Sequence, residues 1–463
     1  MTFKHQVIRG SAYLSFRLAA GAVIGIVGIS LLTRFIGPAN YGMFTAAHAV
    51  LVYLATLTEC GIGVYLIRLE RDSPDESHQA LTLLLLFSIV GVLLAVAAAP
   101  LLARYYDVAE VRTAVLVLGL GLPLVHIVKV PMARLERNLD YRRVAVIELV
   151  GNLVYYVVAL PLAYRGAGIG APLAGWWAQQ LTQFVQVYCT GYRPRLIWRP
   201  ALIKRMLSFG VPYSGSQLIL AVRDLVNPLV VGRILGPAGV GYVALALRIV
   251  QQLGFVGTAT SRISVAAFAR VGDDPARLAR AITEGMFLQI IAIGPLLCAF
   301  SLLAPFAITF AFGPTWLPVL LIFPWLAVAA MIDSMFQLQS SALTVFGMNY
   351  KQALAQLVRL ALLVVFATFF VSRMGGSGYG LAALASLPLF CLLVHIWVRA
   401  RTAPIYYGRA TVWLVAFSLP LFADRLGNVV WLSLLAPLLW SPTRHQLLGL
   451  AEFVTPRRVP TPP

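Results

Sequence analysis

Acidic side chains are scarce in this sequence. Only 17 Asp and Glu stand against 36 Lys and Arg, and the four types together make up 11% of 463 residues. Soluble domains carry about 25% charged residues, so a water-facing globule is excluded. Cysteine is scarce too: Cys60, Cys189, Cys298 and Cys391 fall inside apolar stretches, at spacings that fit no zinc or redox pattern. The period-two alternation of a strand-built membrane barrel is missing. So are a Walker phosphate loop, an H-E-x-x-H metal motif and a nucleophile elbow. The expectation is a protein that is not an enzyme and needs no cofactor. The first apolar stretch is too long for a signal h-region and has no clear cleavage site, so it reads as an anchor.

Apolar residues make up 60% of the chain. They come in runs of about 20 residues, enough to cross roughly 30 Å of hydrocarbon as a helix. Hydropathy places twelve spans between about residues 12 and 398, then two shorter segments near 410–422 and 427–440. The fold class is therefore all-α, a polytopic membrane protein with 12–14 transmembrane helices. The two short segments flank Asp424 and Arg425 and read either as two tilted helices or as a membrane-dipping hairpin. The Pro-rich residues 451–463 read as a disordered tail.

A net charge of +19 raises nucleic acid as a partner. The placement of the charges argues against it. On the twelve-span reading, 26 of the 36 bases fall on one side, 7 on the other and 3 inside spans. Positive residues stay cytoplasmic, so the N-terminus is expected inside. The basic excess then serves topology and anionic lipid, and no nucleic acid is expected.

Two stretches repeat. "LLTRFIGPANYG" (31–42) and "VVGRILGPAGVG" (230–241) place Arg34, Gly37, Pro38 and Gly42 on Arg233, Gly236, Pro237 and Gly241. Pro ends a helix and Gly supplies the freedom of a tight turn. Each copy thus predicts a short outer hairpin, and the six spans between them give a parallel repeat. The predicted organisation is an N-lobe at 1–190, a basic linker at 191–206, a C-lobe at 207–400 and a hydrophobic hairpin or helices 13 and 14 at 401–450. "GAGIG" (166–170) and "GGSGYG" (375–380) read as a second pair of repeat turns, not as phosphate loops.

A charge inside the hydrocarbon costs about 2.5–3.5 kcal/mol and normally faces a wet cavity or a partner. The residues in question are Arg17, Glu59, Glu148, Arg223, Asp224, Arg248, Asp333 and Arg359. Arg248 lies mid-span, too deep to snorkel. Arg223 and Asp224 are adjacent and cannot both point cheaply at lipid. Guanidinium grips phosphate oxygens in a two-pronged fork, so Arg248, Arg223, Arg17 and Arg359 are the candidate substrate-binding residues, with pyrophosphate as the ligand. Asp224, Glu59 and Asp333 are candidates for pairing with an arginine or for carrying a coupled proton or sodium ion. Glu148 reads as an interfacial partner of Arg142 and Arg143, and His48, His126 and His395 as packed residues.

Five motifs occur in sequence: "LLTRFIGPANYGMF", "RLERNLDYRRVAVIELVGNLVYYVVAL", "LSFGVPYSGSQLI", "LVVGRILGPAGVGYVALALRI" and "FGPTWLPV". In them the chain resembles the Wzx-type polysaccharide flippases of the multidrug/oligosaccharidyl-lipid/polysaccharide exporter superfamily. The resemblance runs from about residue 10 to 400. It implies two six-helix lobes forming a V around a central cavity. It also implies alternating access that carries an undecaprenyl-pyrophosphate-linked oligosaccharide to the outer leaflet of the bacterial inner membrane. Surface polysaccharide synthesis (O-antigen, capsule or exopolysaccharide) would be its purpose, with a polysaccharide polymerase and chain-length proteins as partners beside the bilayer. Arginines of helices 1 and 8, here Arg17 and Arg248, would touch the pyrophosphate. Arg34 and Arg233 belong to the turn signature and read as structural. The rival expectation is a cation-coupled multidrug extrusion antiporter, for which Glu59, Asp224 and Asp333 are the available acids.

Overall fold

The computed structural model describes the backbone of residues 3–69, 73–189, 191, 195–254, 268 and 274–435; the side chains of 3–20, 22, 23 and 216 fall outside that description. The expected tail at 451–463 lies outside the described residues. All regular structure among the described residues is helical. In chain order the helices are α1 (Phe3–Glu59), α2 (Ile62–Ile67), α3 (Pro74–Tyr106), α4 (Ala109–Gly119), α5 (Leu122–Arg137), α6 (Tyr141–Tyr164), α7 (Gly170–Tyr188) and α8 (Pro200–Val226). There follow α9 (Gly232–Leu253), α10 (Pro275–Ala311), α11 (Val319–Val345), α12 (Asn349–Met374), α13 (Gly376–Ala385), α14 (Leu387–Arg399), α15 (Gly408–Ser418) and α16 (Ala423–Leu426).

Local chemistry marks the ends. Ser73 caps α3, its hydroxyl accepting from the Glu76 amide at 3.4 Å, and Pro74 opens the helix where no amide proton is needed. Asp140 caps α6 by accepting from the Arg143 amide at 3.2 Å. Nine helical stretches among the described residues are long and apolar enough to cross a bilayer. Two of them contain a break: Gly37 in α1 (φ 74°) and Gly236 in α9 (φ 69°) take backbone angles that L side chains avoid. Each break divides its stretch into two helical parts. Leu93, Leu101, Val157, Leu302 and Phe306 are each more than 60% exposed. An apolar surface of that kind needs acyl chains as its solvent.

The chain divides into two compact units, Met1–Leu245 with Ala307–Val319 and Ala367–Tyr379, and Ala246–Phe306 with Leu320–Phe366 and Gly380–Pro463. In the first, Leu51, Leu54, Leu118, Leu122 and Trp176 form one core between α1, α4, α5 and α7. Ile62, Leu84, Val130 and Met206 form a second between α2, α3, α5 and α8. The segment before α8 is stitched to α3: the Ile197 amide donates to Thr82 Oγ1 at 3.1 Å and the Arg199 amide to Gln79 Oε1 at 2.6 Å. Arg199 also pairs with Asp75 at 2.6 Å, and Arg205 with the buried Glu76. In the second unit α15 packs on α10, where a Cβ at Gly294 would enter the Phe417 ring. After Gly427 (φ 82°) residues 428–435 fold back on α15, Ser433 Oγ donating to Ala416 O at 2.8 Å.

Candidate functional site

In the first unit α1 ends at Glu59 because the left-handed Cys60 (φ 47°) and Gly61 (φ 65°) turn the chain into α2. α8 passes close behind this turn, and a Cβ at Gly210 would land on the Cys60 carbonyl. The turn opens a cavity of about 310 Å³ lined by Thr56, Glu59, Lys129, Glu136, Tyr213 and Gln217, among others. Glu59 accepts from Lys129 Nζ at 2.7 Å, with 18% of the acid's side chain and 47% of the lysine's exposed. A half-hydrated pair of this kind is held weakly, by about 0–1 kcal/mol, so either charge is available to a ligand. Hydroxyl, amide and carboxylate groups around one ammonium suit a ligand rich in hydroxyls.

The second unit holds a different pair. Arg359 Nη1 on α12 donates to Asp333 Oδ1 on α11 at 2.6 Å, and the guanidinium carbon lies 5.2 Å from the Phe390 ring centroid on α14. The arginine side chain is 10% exposed and the acid 35%. Gln339 donates to the Tyr407 hydroxyl at 2.8 Å, which also shares a hydrogen bond with His395 Nδ1 at 2.5 Å. Burial pushes the Tyr407 phenol up to about 12, so it keeps its proton. Tyr407, Cys391 and Thr411 border an otherwise apolar cavity of about 490 Å³.

The other candidates are placed as follows. Arg223 and Asp224 sit side by side on α8, one half-buried and one exposed. Arg248 on α9 is half-buried and has no ion pair among the described residues. Arg17 lies on α1 with its side chain outside the described residues. The partner of Glu59, Lys129, is not among the residues singled out from the sequence. The signal was its place three residues beyond His126 within a helix that continues to Arg137. Glu76 was missed entirely; a buried acid in a capping position, Ser73-x-x-Glu76, was the available sign.

A family model described as "Polysaccharide biosynthesis protein" matches residues 31–321. The chain belongs to that family. It is similar to the teichuronic acid biosynthesis protein TuaB of Bacillus subtilis (strain 168), 24% identical over 430 residues that cover 90% of this chain and 83% of the relative. Among solved structures it is similar to the lipid II flippase MurJ in an inward closed conformation, with TM-score 0.75 and 12% identity over 97% of this chain and all of the other. It is also similar to an inward-facing multidrug resistance MATE family transporter of the MOP superfamily, with TM-score 0.67 and 18% identity over 83% of this chain and 97% of the other. At such identities these structures establish the fold: the chain is a polytopic helical membrane protein with the bundle architecture of these transporters. The fold serves both expectations, and the family match lies on the side of polysaccharide biosynthesis.

Proposed function

We propose that this chain is a flippase that carries an undecaprenyl-pyrophosphate-linked oligosaccharide from the inner to the outer leaflet of the bacterial inner membrane, for surface polysaccharide synthesis. The observation that carries the reading is the polysaccharide biosynthesis family match laid on a fold shared with a lipid II flippase. In this reading residues 1–190 and 207–400 are the two lobes of an alternating-access cycle, 191–206 joins them on the cytoplasmic side, and the N-terminus is cytoplasmic. The sugar's hydroxyls are costly to strip of water without partners, and the cavity at Glu59 offers such partners. The half-buried guanidinium groups of Arg248 and Arg223, together with Arg17, are assigned to the pyrophosphate. The guanidinium of Arg359 is occupied by Asp333, so it serves the substrate only by leaving that partner. Outward movement of about two negative charges is favoured by roughly 4–5 kcal/mol per 100 mV, which gives a driving force beside a coupled proton or sodium ion. A polymerase and chain-length proteins are the partners that would consume the product.

The test is reconstitution with a lipid-linked oligosaccharide and a measurement of headgroup inversion. Flipping of the native substrate, lost in Arg248→Ala with folding intact, supports the reading. Export of cationic drugs with no inversion of the lipid-linked sugar would replace it with the antiporter.

A further inference from the structure

The two repeated turns meet. A Cβ at Gly42 would land on the carbonyl oxygen of Pro237, and one at Gly241 on that of Pro38. The contact is reciprocal, backbone on backbone, and only glycine permits it. The arginines cross in the same reciprocal way. Arg34, from the first turn, donates through Nη1 to Phe310 O at 2.6 Å, beside the C-terminus of α10. Arg233, from the second, donates through Nη1 to Tyr105 O at 3.2 Å, beside the C-terminus of α3, with its guanidinium carbon 5.6 Å from the Tyr105 ring centroid. The last carbonyls of a helix lack intrahelical partners, and its C-terminus favours a cation. Each turn of one sequence half thus ties down the end of a helix from the other half.

Trp316, fully buried, stands between the rings of Tyr41 and Tyr242 at 5.7 and 5.9 Å, and its indole N–H donates to Thr33 O at 3.3 Å. Tyr105 and Tyr106 donate to the carbonyls of Leu229 and Pro228, in the π-helical stretch Asn227–Val231 just ahead of the second turn. The segments Ala307–Val319 and Ala367–Tyr379 of the second sequence half are gathered into the same compact unit as both turns. The arginine bonds are solvent-exposed and the glycine contact is narrow, so the assembly is close-fitting but made of interactions that are individually modest.

We propose that Arg34, Arg233, the Gly42–Gly241 contact and Trp316 form a single two-armed latch that holds this end of the protein shut, and that both arms release together when the end opens. Arg34 and Arg233 act as positioning residues: they hold helix ends and do not touch the cargo. The proposal rests on the reading of the chain as a transporter with two access states.

The experiment places spin labels at Ala39→Cys and Ala238→Cys, one on each turn, in a background without native cysteines, and measures their separation in lipid nanodiscs without substrate. One short distance should dominate. Arg34→Ala and Arg233→Ala should each raise the share of a longer distance by about tenfold, the size of one charge-assisted hydrogen bond, and by equal amounts. An unchanged distance distribution in both variants overturns the latch, and an effect confined to one arginine overturns its reciprocity. Should the alanine variants fail to fold, turns with both arginines intact decide. Joining the two introduced thiols through a short reducible bifunctional reagent should stop flipping, with recovery on reduction; flipping at the unlinked rate overturns the proposal. The distance measurement needs no cargo. An absence of flipping in the unlinked protein therefore counts against the transport reading, while the latch is still judged on the separation.

Discussion

Two acids in membrane helices each find a base, and their surroundings give them different work. Glu59 meets a lysine in a polar cavity, with nearly half of the lysine side chain exposed. Asp333 meets an arginine pressed under an aromatic ring, with a tenth of the arginine exposed. The base of the first pair is open and that of the second is shielded, while the acids run the other way, with 18% of Glu59 and 35% of Asp333 exposed. A hydrated pair contributes little and exchanges partners readily, whereas stripping one partner from a buried pair strands a charge. The first is therefore suited to meeting a ligand and the second to holding helices in register.

Breaking the second pair should give the largest effect. Arg359→Met leaves Asp333 uncompensated and should cost about 3 kcal/mol, the lower end of the buried range because the acid is a third exposed. Thermal unfolding in detergent checks it. Asp333→Asn combined with Arg359→Met should recover part of that loss in a double-mutant cycle; strictly additive losses would put the two pairs in the same class. Next comes Lys129→Met, which should slow headgroup inversion by about tenfold or more while stability moves by less than about 1 kcal/mol. A stability loss equal to that of Arg359→Met would abolish the contrast. Glu59→Gln should leave stability close to wild type and flatten any dependence of inversion on the coupled ion gradient, read from inversion rates with and without that gradient.

The smallest effect is expected at a carboxylate with no base as its main partner. The amides of Arg277 and Ala276 hold the exposed Asp274 below the usual carboxylate range. A depressed folded value means that its stabilisation is present above the ordinary carboxylate pKa and lost as pH falls through the folded one. Protection against hydrogen exchange at the first turn of α10, corrected for the intrinsic pH dependence of amide exchange, should therefore fall in acid. Asp274→Asn should remove that pH dependence while keeping the cap.

Much of the fold was legible because hydrocarbon imposes it: long apolar runs must be helical and must recur. The breaks at Gly37 and Gly236 were legible too, since Pro beside Gly leaves few other conformations. What the repeat did not disclose was the division of labour among its glycines. Gly37 and Gly236 take the left-handed angles, whereas Gly42 and Gly241 are small so that two backbones meet, and no one-dimensional pattern distinguishes these roles. The ion-pair partners were harder still. Hydropathy closes a span where charges begin, yet α5 runs on as helix to Arg137, and Lys129 reaches an acid 70 residues earlier. Asp333 could be expected to seek an arginine, but choosing Arg359 among several requires knowing which helices adjoin.

The stitching of residues 197–205 onto α3 has a consequence for how the polypeptide is assembled. Four side chains of α3, Asp75, Glu76, Gln79 and Thr82, hold the approach to α8, so covalent continuity just upstream is dispensable for that alignment. A gene divided ahead of Arg195 and expressed as two open reading frames should still yield paired fragments that co-purify.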